Sequence, residues 1–243
     1  LFAAYWFVIA SLAAQWADDP NYAHGFFVVP MAAVLAWRRR ARWRETPSRP
    51  DRRGFILLGT AGVLYVAGLL AAELFTMRVS FVLAVAGILF TLEGERRFRV
   101  MGFPVLFLLA MVPLPYVFYY KLTFPLQLES SRLAAGFLSG MGMPLVREGN
   151  MIHLEGYSLE VVTACSGLRS IMTLGTLALF MLDFLRLAPW LRVVFMLLSI
   201  PIAVAANVGR LILTAGLAAI QGPDAAESFL HELSGLVVFV FGM

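Results

Sequence analysis

Charge is scarce in this 243-residue chain. Asp, Glu, Lys and Arg make up 14% of it, while 60% is hydrophobic. A water-soluble domain is about one quarter charged, so lipid rather than water is the expected solvent. Cysteine is scarcer still: Cys165 stands alone, which excludes an internal disulfide and any multi-cysteine metal site. No cofactor and no metal is expected. The formal charge of +4 invites the thought of an anionic partner. The arginines, however, are confined to short loops, a distribution that fits membrane topology, and no nucleic-acid partner is expected. Neither an internal repeat, a low-complexity segment nor a cleavable signal peptide is visible. Leu1 begins inside one apolar run and Val237 to Met243 close another, so the chain reads as a membrane core without its native ends.

What is abundant is apolar runs that approach the ~20 residues needed to cross a bilayer. The first is expected from Leu1 to about Trp16, the second from Phe26 to Trp37, with the polar bend Asp18 to Gly25 between them. Eight arginines follow between Arg38 and Arg53, and the positive-inside rule makes that loop cytoplasmic. Spans are expected at Phe55–Ala72, Val79–Leu92 and Val100–Tyr120, with Arg96, Arg97 and Arg99 in an inner loop. Glu73 and Arg78 bracket an outer turn and receive no role. Further spans are expected at Ser166–Leu185 and Val193–Ile220, with an eighth from near Ser228. The three inner loops hold thirteen of the 19 basic residues.

Residues 121–164 are too polar for a clean span. Leu122, Leu126, Leu133 and Phe137 share one side of a helix and Gln127, Ser130 and Ser131 lie elsewhere, a pattern suited to a helix in the interface. Between Leu145 and Val162 short alternating pieces, broken at Glu148-Gly149-Asn150 and Glu155-Gly156-Tyr157-Ser158, read as strands and turns. The expected fold is an all-α polytopic membrane protein of about eight transmembrane helices, one membrane domain over 1–243. Inserted in it is a small extracytoplasmic cap, 121–164, with an interfacial helix and short β-strands.

This topology brings Cys165, at the outer entrance of the sixth span, to the same side as His231. Arg210 lies ten residues before Ile220, about 15 Å below the outer end of its helix. A lone membrane cysteine is commonly a small buried hydrophobe. In the first turn of a helix, though, the dipole lowers a thiol's pKa, and Ser166 and Gly167 leave the following N–H groups open as oxyanion donors. An arginine among Ala203-Val204-Ala205-Ala206 and Leu211-Ile212-Leu213 costs about 2.5–3.5 kcal/mol at a helix centre. It is expected to face the bundle interior, beside Asn207 and Thr214 at i−3 and i+4. The plain alternative is a snorkelling side chain. His231 is either an idle interfacial histidine or a general base and acid for the cysteine. Arg169, at i+4 from Cys165, competes with Arg210 for the oxyanion, and His24 is a supporting candidate. His153 reads as exposed.

Taken together, Ala164-Cys165-Ser166-Gly167-Leu168-Arg169-Ser170, Asn207-Val208-Gly209-Arg210 and His231-Glu232-Leu233-Ser234-Gly235 resemble the three signature blocks of the exosortase/archaeosortase family. Tyr22-Ala23-His24-Gly25-Phe26 with Val29-Pro30 is similar to the family's early motif, and Gly149-Asn150-Met151-Ile152 to its segment before the cysteine. The resemblance runs over nearly the whole chain, in order and in spacing. It implies a multi-pass transpeptidase-like enzyme of the prokaryotic cytoplasmic (inner) membrane, in an exopolysaccharide-associated setting, with its active site facing the periplasm or exterior. Its partners would be exported proteins carrying a C-terminal sorting signal: a short motif (Pro-Glu-Pro in many bacterial members), a transmembrane helix and a basic tail. A lipid or glycan is the implied acceptor, and membrane lipid the surrounding partner. The family's catalytic Cys, Arg and His fall on Cys165, Arg210 and His231. Two other functions fit the residues: an intramembrane cysteine protease that only hydrolyses, and a transporter whose Arg210 binds an anionic lipid or glycan.

Overall fold

The computed structural model describes residues 1, 3–154, 157–160, 168–185 and 187–222. The chain divides into two compact units, Leu1–Pro115 and Tyr116–Met243.

The first unit is helical: α1 (Trp6–Asp18), α2 (Gly25–Arg38), the short α3 (Arg40–Glu45), α4 (Gly54–Leu70) and α5 (Leu74–Phe107), closed by a 3-10 turn, Leu108–Met111. Helices α4 and α5 form its tightest pair. A Cβ at Gly54, Gly68 or Gly87 would meet Thr91 Oγ1 at 2.2 Å, Met77 Cγ at 2.7 Å and Leu58 Cδ2 at 2.9 Å, so glycine is what lets the two backbones close. Their connection is short because Glu73 caps α5, its carboxylate accepting from the N–H groups of Phe75 (2.9 Å) and Thr76 (2.6 Å).

Helix α5 is two legs joined at Gly94, which has φ +79 and ψ 176. These legs cover the residues expected for the fourth and fifth spans, and the expected loop between them shrinks to this one residue: Arg96, Arg97 and Arg99 are already helical. The arginine-rich connection is strapped across the break, with Arg49 N donating to Glu93 O and Asp51 N to Thr91 O, both at 3.2 Å. At the opposite end of the unit Trp16 Nε1 donates to Met111 O at 3.0 Å. Segments assigned from the sequence to one side therefore do meet. The fifth span stops earlier than expected, since Tyr116–Tyr120 opens the next helix.

Arg78 does not bracket a turn. It is the fifth residue of α5 and only 3% exposed. Its guanidinium donates to Gln15 Oε1 at 2.5 Å and to Ser11 O at 3.2 Å, pinning α1 to α5. A charge this far inside an apolar bundle is tolerated only with such partners.

The second unit holds α6 (Tyr116–Gly140), three strands β1 (Leu145–Glu148), β2 (Met151–Leu154) and β3 (Tyr157–Glu160), then α7 (Leu168–Met181) and α8 (Pro189–Gln221). The strands form an antiparallel sheet in the order β1-β2-β3. The two-residue loop after Glu148 starts with Gly149 at φ +62, the position a II′ hairpin reserves for glycine. Ile152 pairs with Leu159, and these inward residues pack with Ala134, Ala135 and Leu138 of α6 and Leu211 and Ala215 of α8.

Across the described residues, Leu74–Met111 and Pro189–Gln221 are each long and apolar enough to cross a membrane, and Gly25–Arg38, Gly54–Leu70 and Arg169–Met181 are shorter apolar helices. Outward-facing side chains are apolar to a degree that water would not favour, with Leu70 83% and Ile220 82% exposed. The expected eighth span lies outside the described residues.

Candidate active site

Helix α8 begins with Pro189 at its first turn, where the missing N–H costs nothing. Its 33 residues span about 50 Å. Along one face Ala203, Asn207, Arg210, Leu211, Thr214, Ala215 and Ala218 are buried. Arg210 is 6% exposed. Its Nη2 donates to Asn207 Oδ1 at 2.8 Å, and Asn207 Nδ2 donates to Ser130 Oγ of α6 at 3.2 Å. A guanidinium can only donate. The carboxamide must therefore turn its oxygen to Arg210, which leaves its NH2 for the serine hydroxyl. The i−3 spacing read from the sequence does place Asn207 on the guanidinium.

Helix α6 is amphipathic in the inverted sense. Thr123, Gln127, Ser130 and Ser131 are buried, whereas Leu133 and Phe137 are 51% and 54% exposed. The leucine side expected to seek an interface is turned away from the unit's core, and the small polar side supplies partners to α8. Ser131 Oγ also lies 2.9 Å from Gly149 O, and Arg147 Nη1 donates to that carbonyl at 2.7 Å. The β1–β2 hairpin is thus fastened to α6 one residue from Ser130.

Cys165, Ser166 and Gly167 lie outside the described residues, as does His231, and so does the expected placement of the thiol in a first helical turn. Both flanks of the cysteine segment are described. Strand β3, ending at Glu160, packs on α8, and so does α7, which begins at Leu168. Arg169 is half-buried in the first turn of α7, and Ser170 beside it is buried. His153 is not merely exposed: its Nδ1 is 2.8 Å from Ser158 Oγ and its Nε2 3.9 Å from Glu148 Oε2.

His24 belongs to the first unit, at the N-terminus of α2. Burial lowers the pKa of its imidazole, with hydrogen bonds to the backbone of Ala110 and Asn21 opposing that shift. Among the described residues no three His, Cys, Asp or Glu side chains gather as a metal ion would need.

Ser130 escaped the sequence reading as a site residue. The signal was present in weak form: four small or amide side chains, Thr123, Gln127, Ser130 and Ser131, recur on one face of a helix whose other face is apolar.

No curated protein and no solved structure matches the chain. A model of the transmembrane exosortase family matches residues 16–243. That match takes in the segments bearing Cys165, Arg210 and His231 and all of the α6–α8 network, and by it this chain belongs to the transmembrane exosortase family.

Proposed function

We propose that this chain is a membrane-embedded cysteine transpeptidase. It cleaves the C-terminal sorting signal of exported proteins and passes them, through a thioester, to a lipid or glycan acceptor. Cys165 is the nucleophile, Arg210 the oxyanion partner and His231 the acid and base, with Ser166, Gly167 and Arg169 as neighbours that supply N–H groups and charge. The site faces away from the cytoplasm, in a prokaryotic inner membrane.

The observation that carries this reading is the buried Arg210. The cost of placing it there is supported by Asn207 and, behind it, Ser130. A guanidinium fixed in this way and shielded from water suits charge developing on a carbonyl oxygen, because preorganised donors need no reorganisation during the reaction. In the proposed sequence, His231 takes the thiol proton and the Cys165 sulfur forms a bond to a peptide carbonyl carbon. The resulting oxyanion is held by Arg210 and local N–H groups. Collapse breaks the C–N bond as His231 returns the proton to the departing amine. An amine or hydroxyl of the acceptor then attacks the thioester carbonyl as His231 takes its proton, the C–S bond breaks, and that proton passes to the departing sulfur to restore the thiol.

The test is co-expression of the chain with a reporter that carries at its C-terminus a Pro-Glu-Pro motif, an apolar helix and a basic tail. Intact mass should show the reporter shortened and enlarged by the acceptor with wild type, and uncut with Cys165→Ala. Shortening without added mass would replace transfer by hydrolysis. Unchanged processing in Cys165→Ala would remove the enzyme reading.

A further inference from the structure

We propose that the arginine-rich end of the first unit is a docking surface for the headgroups of anionic phospholipids. Residues 38–53 and 93–99 contain eleven arginines against four carboxylates. The arginines do not sit on a loose loop. Arg97 donates through Nε to Thr46 O at 2.7 Å, pairs with Glu93 at 2.5 Å and stacks 4.4 Å from the Trp43 ring, which fastens α3 to α5. The backbone bonds of Arg49 to Glu93 and of Asp51 to Thr91 hold the following stretch across the Gly94 break.

On that framework Arg42, Arg44, Arg49, Arg52 and Arg96 are exposed, and their guanidinium groups make neither a hydrogen bond nor an ion pair among the described residues. They contrast with Arg99, which is paired with Glu95, and with Arg53, 4.0 Å from the same carboxylate. Five unneutralised planar cations on a fixed frame match phosphate oxygens better than ammonium groups would.

A diacyl phosphodiester, rather than free phosphate, is indicated by what adjoins the charge. Trp37, Phe55, Ile56 and Leu92 are 66%, 61%, 71% and 61% exposed. They stand within a few residues of the arginines, at the ends of α2, α4 and the first leg of α5. Charge and apolar surface therefore follow one another in the order of an anionic lipid's headgroup and acyl chains. Clusters of four to eight basic residues next to a membrane span are a known form of such recognition. This inference does not depend on the transpeptidase reading.

The experiment uses the whole chain purified in detergent with equal phosphatidylglycerol and phosphatidylcholine, with retained lipid counted by native mass spectrometry. Wild type should retain phosphatidylglycerol over phosphatidylcholine by about tenfold. The triple variant Arg42→Gln, Arg44→Gln, Arg52→Gln should bring the ratio near one. Lysine at the same three positions should weaken the preference less than glutamine does without restoring the wild-type ratio, and glutamine at Lys121, Arg132 and Arg192 should leave it intact. Should the glutamine triple unfold, Arg42→Gln and Arg52→Gln singly carry the test, each expected to lower the ratio about twofold. Equal retention of both lipids by wild type, an equal loss in the Lys121/Arg132/Arg192 control, or displacement of the lipid by millimolar inorganic phosphate would overturn the proposal.

Discussion

Asn207 Nδ2 donates to Ser130 Oγ at 3.2 Å across the α6–α8 boundary while the same side chain's Oδ1 accepts from Arg210. The three residues form one directional chain, serine oxygen to amide to guanidinium, inside an apolar helix pair. Removing the middle member removes an acceptor from a buried cation, which costs more than removing a neutral partner. Asn207→Ala should therefore destabilise the chain by about 2–3 kcal/mol and Ser130→Ala by about 1 kcal/mol. Unfolding in detergent would measure both. In the Asn207→Ala background Ser130→Ala should cost almost nothing further, because neighbours in one network are not additive. Additive losses would contradict the chain.

One turn beyond Arg210, Thr214 Oγ1 is buried and makes no hydrogen bond among the described residues. A hydroxyl desolvated without a partner is a net cost of about 1–3 kcal/mol. Thr214→Val keeps the shape and deletes the orphan, so it should leave the melting temperature unchanged or raise it. A clear drop would show that the hydroxyl does bond.

Gly94 should be intolerant of any side chain. Its φ of +79 is a conformation that L residues rarely adopt, and a Cβ there would lie 1.8 Å from Arg49 O. Gly94→Ala is expected to cost about 3 kcal/mol or more from backbone strain and displacement of the strap. Thermal unfolding would register it, and a wild-type midpoint would mean the break is not built as described.

His24 makes stability depend on pH. Burial depresses its pKa below the ordinary value near 6.5. Between the folded and the unfolded value the unfolded chain binds the extra proton, so stability rises with pH through that window. It is lost as pH falls below about 6.5, the unfolded value. Midpoints recorded from pH 7.5 down to 5 should fall for wild type and fall less for His24→Gln. Equal slopes would assign the effect to other groups.

Two helix ends were legible where an apolar run met charge, at Trp37 before Arg38 and at Gly54 after Arg53. Strand alternation around Ile152 was equally plain, because a half-buried sheet repeats every second residue. Arg210 stood out as a single charge in an apolar run, and i−3 spacing led to Asn207. Ser130 did not stand out, since its partner is 77 residues away and nothing local marks a long-range hydrogen bond. Arg78 departs from the expected turn because Glu73, whose charge suggests one, is the cap of the helix that buries the arginine. Gly94 hid among Leu92-Glu93-Gly94-Glu95-Arg96, where charge density imitates a loop and one glycine performs the whole break.

Covalent capture on Cys165 decides whether the chain works through a thioester. The purified chain would be mixed with the signal-bearing reporter, quenched in acid and weighed intact. A Cys165 thioester gives an adduct of chain plus reporter, less the released signal, that hydroxylamine removes and that Cys165→Ala never forms. Reporter cleavage at the wild-type rate with no such adduct, or an adduct that persists in Cys165→Ala, would contradict it.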